Sequence, residues 1–101
     1  MENILQEAER ITRGPRQEDY SHPLDDYTTT AALWSAILGI RVTPEQAILC
    51  MILVKVSRES RKHKRDNLVD VAGYADCAQR VVEEREWRAN HRSKRRRTKA
   101  S

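Results

Sequence analysis

Apolar residues recur every three or four positions along most of this chain, and no stretch alternates with the two-residue period of a strand. The first periodic segment spans about Glu2 to Thr12, with Ile4, Leu5, Ala8 and Ile11 on one side. Gly14-Pro15 stops it, because proline has no N–H to continue a helix, and "RGPRQEDYSHP" follows as a polar connection. Ser21 is the expected cap of a second helix opening at His22-Pro23, where a proline N–H would have no partner anyway. Asp25 and Asp26 then suit the positive end of the helix dipole. Leu24, Tyr27, Ala31, Leu33, Trp34 and Ile37 carry this helix to Leu38, and Gly39 supplies a left-handed exit.

"TPEQ", Thr43 to Gln46, is the sharpest boundary. Thr43 caps, Pro44 takes the first helical position, and Gln46 reaches back as its capping-box partner. The third helix runs from there to Lys62, and its apolar residues all around predict a central place in the fold. "HKRDN" turns the chain into a fourth helix, with Asp66 or Asn67 as cap. Its stripe is Leu68, Val71, Ala72, Ala75, Ala78, Val81 and Val82. Past Glu83 only Trp87 continues the stripe, so this helix is expected to leave the body as a charged rod. The pattern predicts an all-α protein, a small antiparallel bundle of about four helices over residues 1–91, with a basic, flexible C-terminal tail over 92–101.

Composition adds a constraint on the core. A chain of 101 residues is one domain, and with 39% hydrophobic and 34% charged residues it buries little. Leftover apolar surface predicts at least a homodimer, with helices two to four in the interface. The formal charge of +4 belongs to one end: Arg92, Lys94, Arg95, Arg96, Arg97 and Lys99 form a run without an acid. The remainder carries 13 basic and 15 acidic residues, so the body is mildly acidic. Such a run attracts nucleic acid through its phosphates but has nothing with which to read bases. No apolar run is long enough to span a bilayer, and the N-terminus has acids where a signal peptide has its basic region, so a cytoplasmic protein without membrane contact is expected. Cys50 and Cys77 form no CxxC and read as reduced core thiols.

The chemistry concentrates in "ILCMILVKVSRES", Ile48 to Ser60, where Lys55 interrupts an apolar run. An unpaired ammonium at the edge of a buried helix loses solvation, so it needs a partner or must reach water. A short turn makes helices three and four antiparallel, setting Lys55, Arg58 and Lys62 against Asp66, Asn67 and Asp70, with Tyr74 a turn deeper. Two readings follow: a structural Lys55–Asp70 ion pair, or a polar pocket in which Lys55 and Arg58 meet a phosphate, with Tyr20 and His22 on its rim. The ligand of that pocket is a phosphate-bearing small molecule or nucleotide. His22, His63 and His91 lack metal-ligand spacing, and Ser57 and Ser60 lack a base. Trp34 and Tyr27 read as core.

"DYSHP", "TPEQ" and "DNLVDVAGYADC" resemble a family of small bacteriophage proteins of unassigned function, over about Gly14 to Ala78. "NLVDVAGYADCA" is also distantly similar to the helix of MazG-type nucleotide pyrophosphohydrolases that carries a Glu-x-x-Asp metal motif. That resemblance implies an all-α bundle, a nucleotide ligand, paired chains and, for a hydrolase, magnesium held by Asp66 and Asp70 in the cytoplasm of the phage's host. Asp70 matches the aspartate of the motif, but Asn67 stands at its glutamate position. Where those enzymes have a second acidic motif, this chain has Lys55-Val-Ser-Arg58. The departure favours binding over hydrolysis. A third alternative is an interaction protein that grips a host protein or nucleic acid through the fourth helix and the tail.

Overall fold

The computed structural model describes residues 1–14 and 22–100, with side chains through Lys94. Four helices make up the described chain: α1 (Ile4–Arg13), α2 (Pro23–Leu38), α3 (Pro44–Arg61) and α4 (Arg65–Ala100). There is no strand among the described residues, and the fold is the all-α bundle expected. None of these helices is long and apolar enough to cross a membrane.

Local chemistry explains each start. Asn3 caps α1 through a reciprocal pair: the Gln6 N–H donates to Asn3 Oδ1 at 2.8 Å and the Asn3 N–H to Gln6 Oε1 at 2.9 Å. Thr43 and Gln46 form the same box at α3, at 3.2 and 2.9 Å. His22 is the N-cap of α2, taking the Leu24 N–H on Nδ1 at 3.0 Å. The expected cap, Ser21, lies in residues 15–21, outside the described residues. α4 begins at Arg65, so Asp66 and Asn67 sit in its first turn and not at the cap. Glu59 of α3 instead ties down the residue before the helix, accepting the Lys64 N–H at 3.0 Å. Between α2 and α3, Gly39 takes φ 70°, open to a residue without Cβ. The Ser35 hydroxyl ties that turn by accepting the Val42 N–H at 2.8 Å.

α4 is the wall of the structure, and α1, α2 and α3 all pack on it. Ile48 of α3 and Val81 of α4 are fully buried, joined by Leu24 and flanked by Tyr27, Tyr74, Cys77 and Ala78. α1 approaches α4 at Gly73, where a Cβ would lie 3.1 Å from Thr12 Cγ2. The central position expected of α3 is not found. It touches only α2 and α4, and Leu49, Leu53 and Val56 face outward. Cys50 shares that outer side and is exposed, so it is not the core thiol expected. Cys77 is half-buried, and burial pushes its thiol pKa up. The backbone of the basic run continues α4 to Ala100.

His22 makes the start of α2 sensitive to pH. Burial holds its pKa below the ordinary 6.5; Glu84, 3.7 Å from Nε2, opposes the shift, Arg80 and Arg88 reinforce it, and Asp25 opposes it. A histidine that prefers its neutral form when folded contributes fully above its unfolded pKa, and loses that contribution as pH falls through 6.5 toward the folded value. Urea denaturation should therefore show a lower midpoint at about pH 5.5 than at about pH 7.5. His22→Asn retains a cap acceptor without titrating, so its midpoint should fall less over the same interval.

Candidate functional site

The corner where α3 turns into α4 holds the residues singled out in the sequence. Lys55 Nζ lies 2.9 Å from Asp70 Oδ2, with Lys55 16% and Asp70 36% exposed. The ammonium is thus matched within the chain. One turn nearer the corner Glu59 forms a second link: Oε1 accepts the Lys64 N–H at 3.0 Å and the Asn67 side-chain amide at 3.2 Å, while Oε2 meets His63 Nδ1. The His63 and Lys64 bonds hold the Glu59 carboxyl below the usual range. Asn67 is 7% exposed, and this bond is what satisfies its buried amide. Sequence reasoning missed Glu59 by taking only the cations of this helix, Lys55, Arg58 and Lys62. The available signal was its place four residues after Lys55, on the same helix face.

The other expected pocket residues do not converge. Arg58, Lys62 and Asp66 are exposed at the corner. Tyr74 packs beside the core next to Tyr27, and burial raises the Tyr27 pKa well above its ordinary value, helped by Tyr74. His22 lies on α2 against Glu84 of α4, away from Lys55. Tyr20 is outside the described residues. Asp66 and Asp70 are one turn apart on α4, but Asp70 is taken by an ammonium and Asn67 turns its donors to Glu59. Magnesium needs oxygen ligands that are free to face it, so this donor set does not fit a magnesium site.

Charge pairing separates the cations into two classes. Arg13 binds Asp76 at 2.8 and 2.9 Å, Arg85 binds Glu45 at 2.6 and 2.7 Å, and Arg88 binds Asp25 at 2.6 and 2.9 Å. Arg65 reaches Glu7, and Arg10 reaches Glu2. By contrast Arg58, Arg61, Lys62 and Lys64 form no ion pair among the described residues. They cluster within seven positions of one corner. At the far end of α4, Trp87 is 55% exposed and stacks on His91 with ring centroids 3.7 Å apart. Arg92 and Lys94 are exposed just beyond it, and Arg95, Arg96, Arg97 and Lys99 continue the helix.

The Lys55–Asp70 link should behave as a half-buried structural pair. Lys55→Met is expected to destabilise by about 1–2 kcal/mol, since Asp70 retains some access to water and part of the penalty is screened. A double-mutant cycle with Asp70→Asn, read by chemical denaturation, should give a coupling of about 1 kcal/mol. Strictly additive single losses would show that the two side chains do not support each other.

Comparison with known proteins supplies the context for this geometry. The chain is 37% identical over 84 residues to the Gene 55 protein of Mycobacterium phage D29, an alignment covering 82% of this chain and 56% of that protein. It is 38% identical over 82 residues to the Gene 55 protein of Mycobacterium phage L5, covering 78% and 52%. The chain thus spans about half the length of these curated relatives. No solved structure matches it significantly. Residues 3–82 match the domain of unknown function DUF6378, which takes in all of α1, α2 and α3 and the first half of α4, and the chain belongs to that family.

Proposed function

We propose that the α3–α4 corner binds a phosphate-bearing ligand, a nucleotide or host signalling nucleotide that the protein sequesters in the host-cell cytoplasm. One observation carries this reading: among the described residues Arg58, Arg61, Lys62 and Lys64 form no ion pair, whereas Arg10, Arg13, Arg85 and Arg88 each bind a carboxylate. Like charges this close repel one another, and a phosphate relieves the repulsion while accepting bidentate arginine bonds. Lys55 and Glu59 take a supporting role, holding the two helices and the turn in register beneath the cations. The hydrolase alternative, a degenerate MazG-like enzyme, has less support, because Lys55 holds Asp70 and Asn67 replaces a carboxylate.

Titration calorimetry with pyrophosphate and nucleoside triphosphates tests the proposal. The double variant Arg58→Ala with Lys62→Ala should weaken binding at least about tenfold, or about 1.4 kcal/mol. It should not lower the melting temperature of the free protein, since neither side chain forms an ion pair among the described residues and their removal relieves repulsion. Absence of binding by the unaltered chain, or binding indifferent to both changes, overturns the reading. Assaying the same mixtures for magnesium-dependent pyrophosphate release addresses the hydrolase alternative, and no release is expected.

A second reading rests on the other end of α4. Trp87, Arg88, His91 and Arg92 line a shallow cleft of about 400 Å³. Arg88 is braced by Asp25 and Glu84, so the Trp87–His91 stack is held on a fixed turn. An exposed aromatic stack followed by a basic run suits single-stranded nucleic acid, whose bases stack while its phosphates meet the cations. Binding to an oligothymidylate should fall steeply with salt, and Trp87→Ala should weaken it roughly tenfold. Equal affinity of Trp87→Ala and the parent chain would leave only diffuse attraction to the basic run.

A further inference from the structure

The charges of this chain avoid one face. From Tyr27 to Val54 only Arg41 and Glu45 are charged, in a sequence that is 34% charged, and Glu45 is held by Arg85. Yet this stretch is not interior. Leu33 and Ile37 follow the outer side of α2, Ile40 its exit, and Leu49, Leu53 and Val56 the outer side of α3; all six are exposed, Ile37 at 83% and Leu53 at 64%. α2 and α3 turn Leu24 and Ile48 toward α4 instead, where they meet Val81.

We propose that this α2–α3 face is the interface of a homodimer, covered by the same face of a second copy. With Leu38 and Val54 at the margins, the exposed apolar side chains present roughly 700–800 Å². That is about what one partner buries in a stable interface of standard size. The chemistry of the face selects the occupant. A polyanion would find only Arg41 along it, and a membrane surface is usually met by helices with lysines and arginines beside the apolar stripe. A charge-poor apolar face is complementary to itself, and twofold pairing brings it against itself. The single chain also has little else to close around, since Ile48 and Val81 are its largest fully buried side chains.

Sedimentation equilibrium of the full chain at about 10 µM should give twice the 11.8 kDa chain mass, and the melting temperature should rise with protein concentration. Leu53→Lys should return the mass to 11.8 kDa, whereas Trp87→Ala, an exposed aromatic off this face, should not. Because a lysine in place of Leu53 also alters the surface of α3, the unaltered protein supplies an independent measurement. Cys50 is exposed in the single chain beside Leu49 and Leu53, so its alkylation by a maleimide should be slow in concentrated protein and speed up on dilution. A mass of 11.8 kDa, a melt independent of concentration and an alkylation rate indifferent to dilution together overturn the proposal. A monomer that instead sediments with phosphatidylcholine vesicles overturns it as well and assigns the face to lipid.

Discussion

Everything else in this molecule hangs on α4, the one helix among those described that every other helix touches. The three shorter helices bury small apolar contacts against it, Ala8 from α1, Leu24 from α2 and Ile48 from α3. Ion pairs flank these contacts. Arg13–Asp76 and Arg65–Glu7 fasten α1, Arg88–Asp25 fastens α2, and Arg85–Glu45 with Lys55–Asp70 fastens α3. Most of these pairs are partly exposed, so each adds little to the net free energy. Their geometry still matters. A bidentate arginine–carboxylate pair accepts only a narrow range of separations and angles, so it fixes the sliding register of a helix that a small apolar contact leaves loose.

What was legible in the sequence was local. Thr43-Pro44-x-Gln46 announced the start of α3 because a capping box uses residues only three apart, and Gly39 announced a turn that requires positive φ. The Lys55–Asp70 contact could be placed because a short turn forces antiparallel helices into one register. Residues brought together across the chain were not legible. The pairing of His22 with Glu84 depends on how α2 leans on α4, which no spacing encodes. The largest departure is α3. Apolar residues on all its sides suggested a helix surrounded by the bundle, yet Leu49, Leu53 and Val56 leave half or more of their surface to water. Periodicity records that a side chain avoids water, and is silent on whether the same chain provides the cover.

The corner shows how one buried lysine can organise a surface. Lys55 and Glu59 sit a turn apart on α3, opposite Asp70 and Asn67, which are likewise almost a turn apart on α4. The two helices therefore meet through alternating rungs, cation to carboxylate and carboxylate to amide. A set of four facing carboxylates would need a metal to relieve its repulsion; this set carries a single excess negative charge, that of Glu59, which the His63 ring and the Lys64 N–H meet. It holds the turn without an added ion and leaves the positive potential of the corner to Arg58, Arg61, Lys62 and Lys64. The matched pair and the unmatched cations are thus parts of one arrangement, the first giving the second a rigid base.

The distribution of polar and apolar groups points the same way on a larger scale. In a self-contained bundle the ionised side chains face water and the leucines and isoleucines meet at the centre. Here α4 faces its neighbours with arginines as well as apolar residues, while beyond Leu24 and Ile48 several bulky aliphatic side chains of α2 and α3, among them Leu33, Ile37, Leu49 and Leu53, remain exposed. That inversion is costly for an isolated chain, because water contacts surface that burial would stabilise by about 25 cal/mol per Å². It is consistent for a chain whose centre lies between two copies. The ion pairs then become the outer braces of a larger core, and α4 marks the periphery of the assembly. The cationic corner begins at Arg58, two positions past Val56, so it borders the α2–α3 face, while the basic end of α4 belongs to a different helix.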